Sequence, residues 1–347
     1  MKLSSKHANI LSKSSSIKED LLIIDTEETS EEYGIYPDKR TVNDILDYGF
    51  IPLDKPAGPT SHEVVAWVRK MLREDKAGHS GTLDPAVTGM LPIGLGEATK
   101  ALSVLLIGPK EYIGLARIHS NLDHTKLKKV FKEFTGEIFQ RPPQKSSVKR
   151  QTRRRWIYEL EILEIKGQLI LFRVLCQAGT YIRKLVYDIG EVLGPGATMI
   201  ELRRTKVSNL KEKDGLVKMH DLFDAVYEWK KNKSEDKLIR LIQPVEKMLS
   251  SLKMIIIRDS AVSAICHGAQ LAVPGVLQVS PDLRNGDAIA LYTLKMEIVA
   301  IGEATMSATE IKECEKGLVV KTRRVIMKQD TYPRLWKTKK TTDAGVA

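Results

Sequence analysis

Gly78-His79-Ser80-Gly81-Thr82-Leu83-Asp84-Pro85 decides how the rest of this chain is read. Glycines at 78, 81 and 89 surround Asp84, and Pro85 drives the residue before it out of the helical region. Such a loop admits a second backbone at close range and presents its carboxylate. An Asp-Pro turn with no chemical duty has the same spacing, and nothing local separates the two.

Upstream, Gly49-Phe50-Ile51-Pro52-Leu53 reads as a short strand entering the turn Lys55-Pro56-Ala57-Gly58-Pro59, and order is expected to begin there. Thr60 and Glu63 form a T-x-x-E capping box for a helix with Val64, Val65, Val68, Met71 and Leu72 on one face. Downstream, the apolar run Met90 to Leu95 leads to a helix turning Ala98, Leu102 and Leu105 inward. A strand from Tyr112 to His119 follows, then a helix carrying Leu127, Val130, Phe131 and Phe134. A basic connection, Lys149 to Arg155, precedes strands at 157–166 and 169–177, joined by a hairpin at Lys166-Gly167-Gln168. Then come a helix over 180–193 capped by Thr180, a strand from Ala197 to Lys206, and helices near 219–231 and 235–249.

From Lys253 short β segments alternate with Gly/Pro turns around one short helix, 260–267, as in a small β-barrel module. At roughly 150 residues per domain, the 347 residues suggest two domains. The expected division is an N-terminal extension (1–45), a first large domain (46–250), the β-rich module (251–336) and a basic tail (337–347). The first fifteen or so residues lack the apolar content to offset ordering entropy and are expected to be mobile.

Hydrophobic residues make up 42% and charged residues 29%, the balance of a globular chain. The net charge of +11 favours a polyanionic partner without separating RNA, DNA and acidic lipid. No run approaches the ~18 apolar residues of a membrane span, and no apolar core of a secretory leader follows the N-terminus. Cys176, Cys266 and Cys314 are odd in number and far apart, as expected of buried reduced thiols in an intracellular protein. With no Walker loop, H-E-x-x-H or metal-ligand cluster, neither cofactor nor metal is expected.

Arg183 falls in the first turn of its helix, where a cation opposes the helix dipole. Asp84 or a phosphate would relieve that conflict, and so would solvent. Tyr112 shares a strand face with Gly114, Ala116 and Ile118, which leaves room for a base to stack on the ring or for a core tyrosine to cover a glycine. Lys149, Arg150, Arg153, Arg154 and Arg155, next to Trp156 and Tyr158, suit a phosphate backbone or a solvated face. His79 has the setting of a loop contact.

Taken together these segments resemble the TruB-type pseudouridine synthases. The octapeptide 78–85 carries most of the likeness, with Asp54-Lys55-Pro56, Ser61-His62-Glu63-Val64-Val65-Ala66-Trp67 and Lys110-Glu111-Tyr112. Gln140-Arg141-Pro142-Pro143, Ala178-Gly179-Thr180-Tyr181-Ile182-Arg183, Glu201-Leu202-Arg203-Arg204, Asp259-Ser260-Ala261-Val262 and Val273-Pro274-Gly275-Val276 extend it. Within that family the chain is similar to the dyskerin-like catalytic subunits of box H/ACA ribonucleoproteins, in the archaeal form that lacks a long Lys-rich tail.

The resemblance implies an α+β fold: a pseudouridine-synthase domain with a mixed, mainly antiparallel sheet, then a C-terminal β-barrel PUA domain on which the N-terminal segment packs. It implies Asp84 as the catalytic carboxylate in a poorly solvated pocket, Arg183 as its partner and Tyr112 as the stacking tyrosine. Leu202 would line the pocket floor, and Lys55, His79 and Thr82 would join it around the substrate. The implied partners are a guide RNA, substrate rRNA or tRNA and small H/ACA proteins, with no membrane, in the cytoplasm (the nucleolus for a eukaryotic source). Direct modification of the TΨC loop of tRNA is the unguided variant, and a non-enzymatic RNA scaffold the alternative of another class. One departure stands out: where the family continues with a basic residue, Ser and Gly, this chain has Lys206-Val207-Ser208-Asn209, so its loop there is expected to run differently.

Overall fold

The computed structural model describes residues 21–121, 123–142, 149 and 151–334. They form two compact units, residues 41–248 and residues 21–40 with 249–334.

In the larger unit, helix α1 (Val42–Tyr48) leads into strand β1 (Gly49–Lys55) and helix α2 (Ser61–Leu72). Both helices open with a capping box, Thr41 with Asp44 and Thr60 with Glu63. Each box supplies two of the backbone N–H groups with side-chain acceptors. Strands β2 (Ala77–His79) and β3 (Thr88–Leu95) bracket the 78–85 motif, followed by helix α3 (Leu102–Ile107) and strand β4 (Lys110–Ile118). Helix α4 (His124–Glu133), strands β5 (Gly136–Gln140), β6 (Arg153–Lys166) and β7 (Leu169–Cys176), helix α5 (Ile182–Leu193), strand β8 (Ala197–Val207) and helix α6 (Met219–Asn232) complete it.

The sheet runs β1-β3-β8-β4-β7-β6-β5. All these neighbours are antiparallel except β3 and β8, which pair in parallel over Thr88↔Arg203 and Gly89↔Arg204. This matches the expected mixed, mainly antiparallel sheet. Two apolar cores lie on either side of that parallel junction. One packs α1, α2 and α6 on β1 and β3 through Leu46, Val64, Val68, Leu91, Ile93 and Leu222. The other packs α4 and α5 on β4, β7 and β8 through Phe131, Phe172, Ile182, Leu185, Ile189 and Leu202.

In the smaller unit, a seven-stranded curled sheet surrounds a core of Ile255, Val262, Ile265, Leu291, Val299 and Val320. Leu22–Ile23 forms its edge, pairing with Val279 and Gln278. Arg258 pairs with Asp25 and Glu27, and Asp259 Oδ2 accepts from Thr29 Oγ1 at 2.9 Å and Ser30 N at 3.1 Å.

Five expectations need correction. Order precedes Gly49, because Asp25 and Glu27 pair with Arg258, and Thr41 and Asp44 cap α1. Arg153–Arg155 belongs to β6 and pairs with β5, a short strand the sequence pattern did not mark. Pro244 breaks the helix expected over 235–249 into Asp236–Leu241 and a 3-10 turn, Val245–Leu249. Thr180 does not cap α5: the cap position is Tyr181, and the Thr180 hydroxyl donates to Gln177 O at 2.7 Å. Cys314 is exposed, while Cys176 and Cys266 are buried. Residues 1–20, Arg150 and the tail 337–347 lie outside the described residues.

Candidate active site

The loop between β2 and β3 is pinned along its backbone. The Ser61 hydroxyl, fully buried, accepts from Leu83 N at 2.9 Å and donates to Leu83 O at 3.1 Å. Lys55 is also fully buried, and its ammonium donates to the carbonyls of Pro56 (2.8 Å), Pro85 (3.0 Å) and Val87 (3.0 Å). Burial pushes that ammonium below the ordinary lysine range. Leu83 and Val87 turn into the core, which everts Asp84, Pro85 and Ala86 between them. Gly89, at φ +99°, lies against the Arg204 backbone, so a β-carbon there would meet Arg204 O at 2.3 Å. Only glycine allows β3 this close to β8.

Asp84 thereby points outward and ion-pairs with Arg183, 99 positions further along the chain. Arg183 is the second residue of α5, and the conflict between cation and helix dipole is met by the carboxylate. The side chains are 53% and 57% exposed, so the expected poorly solvated pocket is instead an open site. The start of α5 is held from β5: buried Gln140 accepts from Tyr181 N at 3.0 Å and donates to Tyr181 O at 3.1 Å. Arg155 Nε donates to Gly179 O at 3.1 Å in the turn before it.

Tyr112 stands half-buried on β4, opposite Arg204 on β8. Burial raises its phenol, and the Arg204 guanidinium beside it works in the other direction. The space expected at Gly114 is taken by Phe172, whose Cζ would lie 2.4 Å from a β-carbon there. Arg204 itself is 1% exposed and donates to Met90 O at 2.8 Å and Gly81 O at 3.1 Å. Arg203 points elsewhere, forming a fork onto Asp54 at 2.9 and 3.0 Å and pairing with Glu212. The motifs at 54–56 and 201–204 are thus two sides of one junction.

Leu202 is buried beside Leu83 and Val87 in one cluster. Thr82 is exposed on the loop. His79 packs edge-on against His62 at 5.1 Å, and burial, chiefly, lowers its imidazole to about 4, which makes it neutral at ordinary pH. It lines a hollow of about 490 Å³ with Thr99, Leu102 and Leu106. Of the basic run, Lys149 is exposed, Arg153 is half-buried, Arg154 pairs with Glu137 at 3.2 Å, and Arg155 is engaged by Gly179. Ser208 takes the left-handed backbone (φ +55°) of a tight turn from β8 into Leu210–Lys211, at the position where glycine was expected.

Sequence reasoning missed Ser61, Gln140 and Arg204 as supports. All three lie in the motifs quoted above, and their polar sequence neighbours gave no signal of burial.

Four family models match successive stretches of the chain. Residues 69–182 match the N-terminal domain of TruB family pseudouridylate synthases, and residues 183–250 the C-terminal domain of tRNA pseudouridylate synthase B. Residues 253–326 match the PUA domain and residues 16–65 the DKCLD domain. The chain is 50% identical to a probable tRNA pseudouridine synthase B of Methanocaldococcus jannaschii over 323 residues, 93% of this chain and 96% of that protein. It is 48% identical to the Pyrococcus furiosus protein of the same description, covering 92% of this chain and 94% of that one. Among solved structures, a chain of an H/ACA ribonucleoprotein bound to a substrate RNA containing 2′-deoxyuridine superposes with a TM-score of 0.85 at 46% identity, covering 92% of this chain and 98% of that one. A chain of a Cbf5-Nop10-Gar1 complex gives 0.85 at 48%, covering 92% and 97%.

Proposed function

The chain belongs to the TruB family of pseudouridylate synthases, and on that premise we propose how its site acts and on what. It is an isomerase that converts uridine to pseudouridine, so the scaffold reading is set aside. The C1′–N1 bond breaks, the base turns, C5 joins C1′, C5 loses its proton and N1 gains one. No atom is gained or lost overall.

Asp84, ion-paired with Arg183, is the nucleophile or the base that starts glycosidic cleavage. Tyr112 holds the detached uracil and helps take the C5 proton, and Leu202 forms the floor. The pair is open in the free protein, so the RNA supplies the lid. An extruded uridine, at a cost of a few kcal/mol in lost stacking, displaces water from the carboxylate and strengthens its attraction to the guanidinium.

The substrate is uridine in rRNA or tRNA, the TΨC-loop uridine included, selected by an H/ACA guide RNA with small partner proteins in the cytoplasm. Relatives in solved H/ACA complexes and the +11 net charge support that choice. The observation that carries the site assignment is the pairing of Asp84 with Arg183, whose loop and helix are both anchored in the core under α5.

The test is incubation with a tRNA transcript, with and without guide RNA and partner proteins. The mass-silent product is then read after chemical labelling of pseudouridine. Conversion that depends on guide is expected. Conversion without it identifies the unguided variant, and none in either arm overturns the reading.

A further inference from the structure

Arg204 is an expensive residue to bury. At 1% exposure it donates to two backbone carbonyls, Met90 O and Gly81 O, and stands across the strands from the Tyr112 phenol as its third neighbour, none of them an anion. A buried cation without a counter-charge costs several kcal/mol, and two carbonyls are satisfied as well by a water or a neutral donor. The surroundings add to the cost, since Lys55 and Lys110, both buried, are pushed toward their neutral forms chiefly by burial and further by the charge of Arg204. A planar, permanently charged fork is needed only for the third partner.

That partner is its cross-strand neighbour: Tyr112 on β4 stands opposite Arg204 on β8. Burial makes the phenol a poorer acid, and the guanidinium beside it counters this. The same guanidinium reaches Gly81, three residues before Asp84.

We propose that Arg204 is a positioning residue for the isomerisation, holding the Tyr112 hydroxyl and the Gly81 end of the Asp84 loop in one frame so that the detached base meets the phenol in a fixed orientation. This rests on the roles proposed above for Asp84 and Tyr112. A lysine keeps the charge but loses the fork, so it can serve one partner well and not all three.

The experiment is single-turnover conversion of a tRNA transcript by the full chain with guide RNA and partner proteins, comparing wild type, Arg204→Lys, Tyr112→Phe and the double variant. Arg204→Lys is expected to lower turnover about 10-fold or more with RNA affinity within about threefold, and to cost less than about threefold further in the Tyr112→Phe background. Equal losses in both backgrounds, or no loss in the first, overturn the proposal.

Should Arg204→Lys not fold, hydrogen exchange on Tyr112→Phe decides instead. Without the hydroxyl the frame loosens, and the Val87 amide, which donates to Asp84 O at 3.0 Å, exchanges at least about threefold faster. Unchanged exchange overturns the proposal. Failure of the underlying reading looks different: wild type leaves the transcript unconverted, or Asp84→Asn converts it, whatever stands at 204.

Discussion

The Lys55 ammonium lies beneath the loop that carries Asp84 and donates to Pro85 O and Val87 O, both at 3.0 Å. One buried side chain thus sets the height at which the carboxylate emerges. Lys55→Met removes a donor from the Pro56, Pro85 and Val87 carbonyls and leaves the buried Val87 bond unmade, which should destabilise the protein by about 1–3 kcal/mol, read by urea unfolding. Turnover should fall about 100-fold while RNA binding stays within about threefold. A stable variant with normal turnover removes Lys55 from the support of the loop.

Asp84→Asn should bind RNA like wild type and convert none. Because the Asp84–Arg183 pair is half exposed, its removal should cost only about 0–1 kcal/mol of stability. Arg183→Gln should be nearly as damaging to conversion. Pseudouridine formed by Asp84→Asn at the wild-type rate would defeat the assignment.

Gln140 acts on Arg183 from a distance by closing the first turn of α5. Gln140→Ala should cost about 1 kcal/mol and lower turnover about 10-fold. If melting shifts but turnover does not, the turn matters to the fold alone.

His79 titrates at about 4 in the folded chain, below its ordinary 6.5. The folded form resists protonation that the unfolded form accepts. Stability from this group is therefore full above pH 6.5 and is lost as pH falls through about 4. After allowance for partial solvent screening the loss is on the order of 1–2 kcal/mol. Unfolding of His79→Gln should be correspondingly less sensitive between those pH values, and identical pH curves would remove His79 as the cause.

Of the three thiols, Cys314 should react promptly with an aromatic disulfide reagent. Cys176, whose thiol burial raises to about 12, and buried Cys266 should react only on unfolding. Prompt release of more than one equivalent contradicts the burial.

Local chemistry made much of this legible. The Thr60–Glu63 box, the apolar run of β3 and the hairpin at Gly167 depend on neighbours in the chain and stand where periodicity puts them. That the loop presents the Asp84 carboxylate is legible in its glycines and Pro85, whereas the openness of the site is not, because it depends on how Leu83 and Val87 turn inward. Gln140 and Arg204 were illegible as supports for a related reason: their partners lie 41 and 114 positions away. Tyr112 was read with space at Gly114 because Phe172, which fills it, comes from another strand.

Strand β8 sits between β3 and β4, although both are synthesised before it. During translation those two strands emerge with unfilled hydrogen-bonding edges, and the gap persists until residues 197–207 leave the ribosome. Until then the nascent chain is open to mispairing and a natural client for chaperones. The late strand also brings Leu202 and Arg204, so no partly made chain holds a half-working centre: competence arrives in a single closing step.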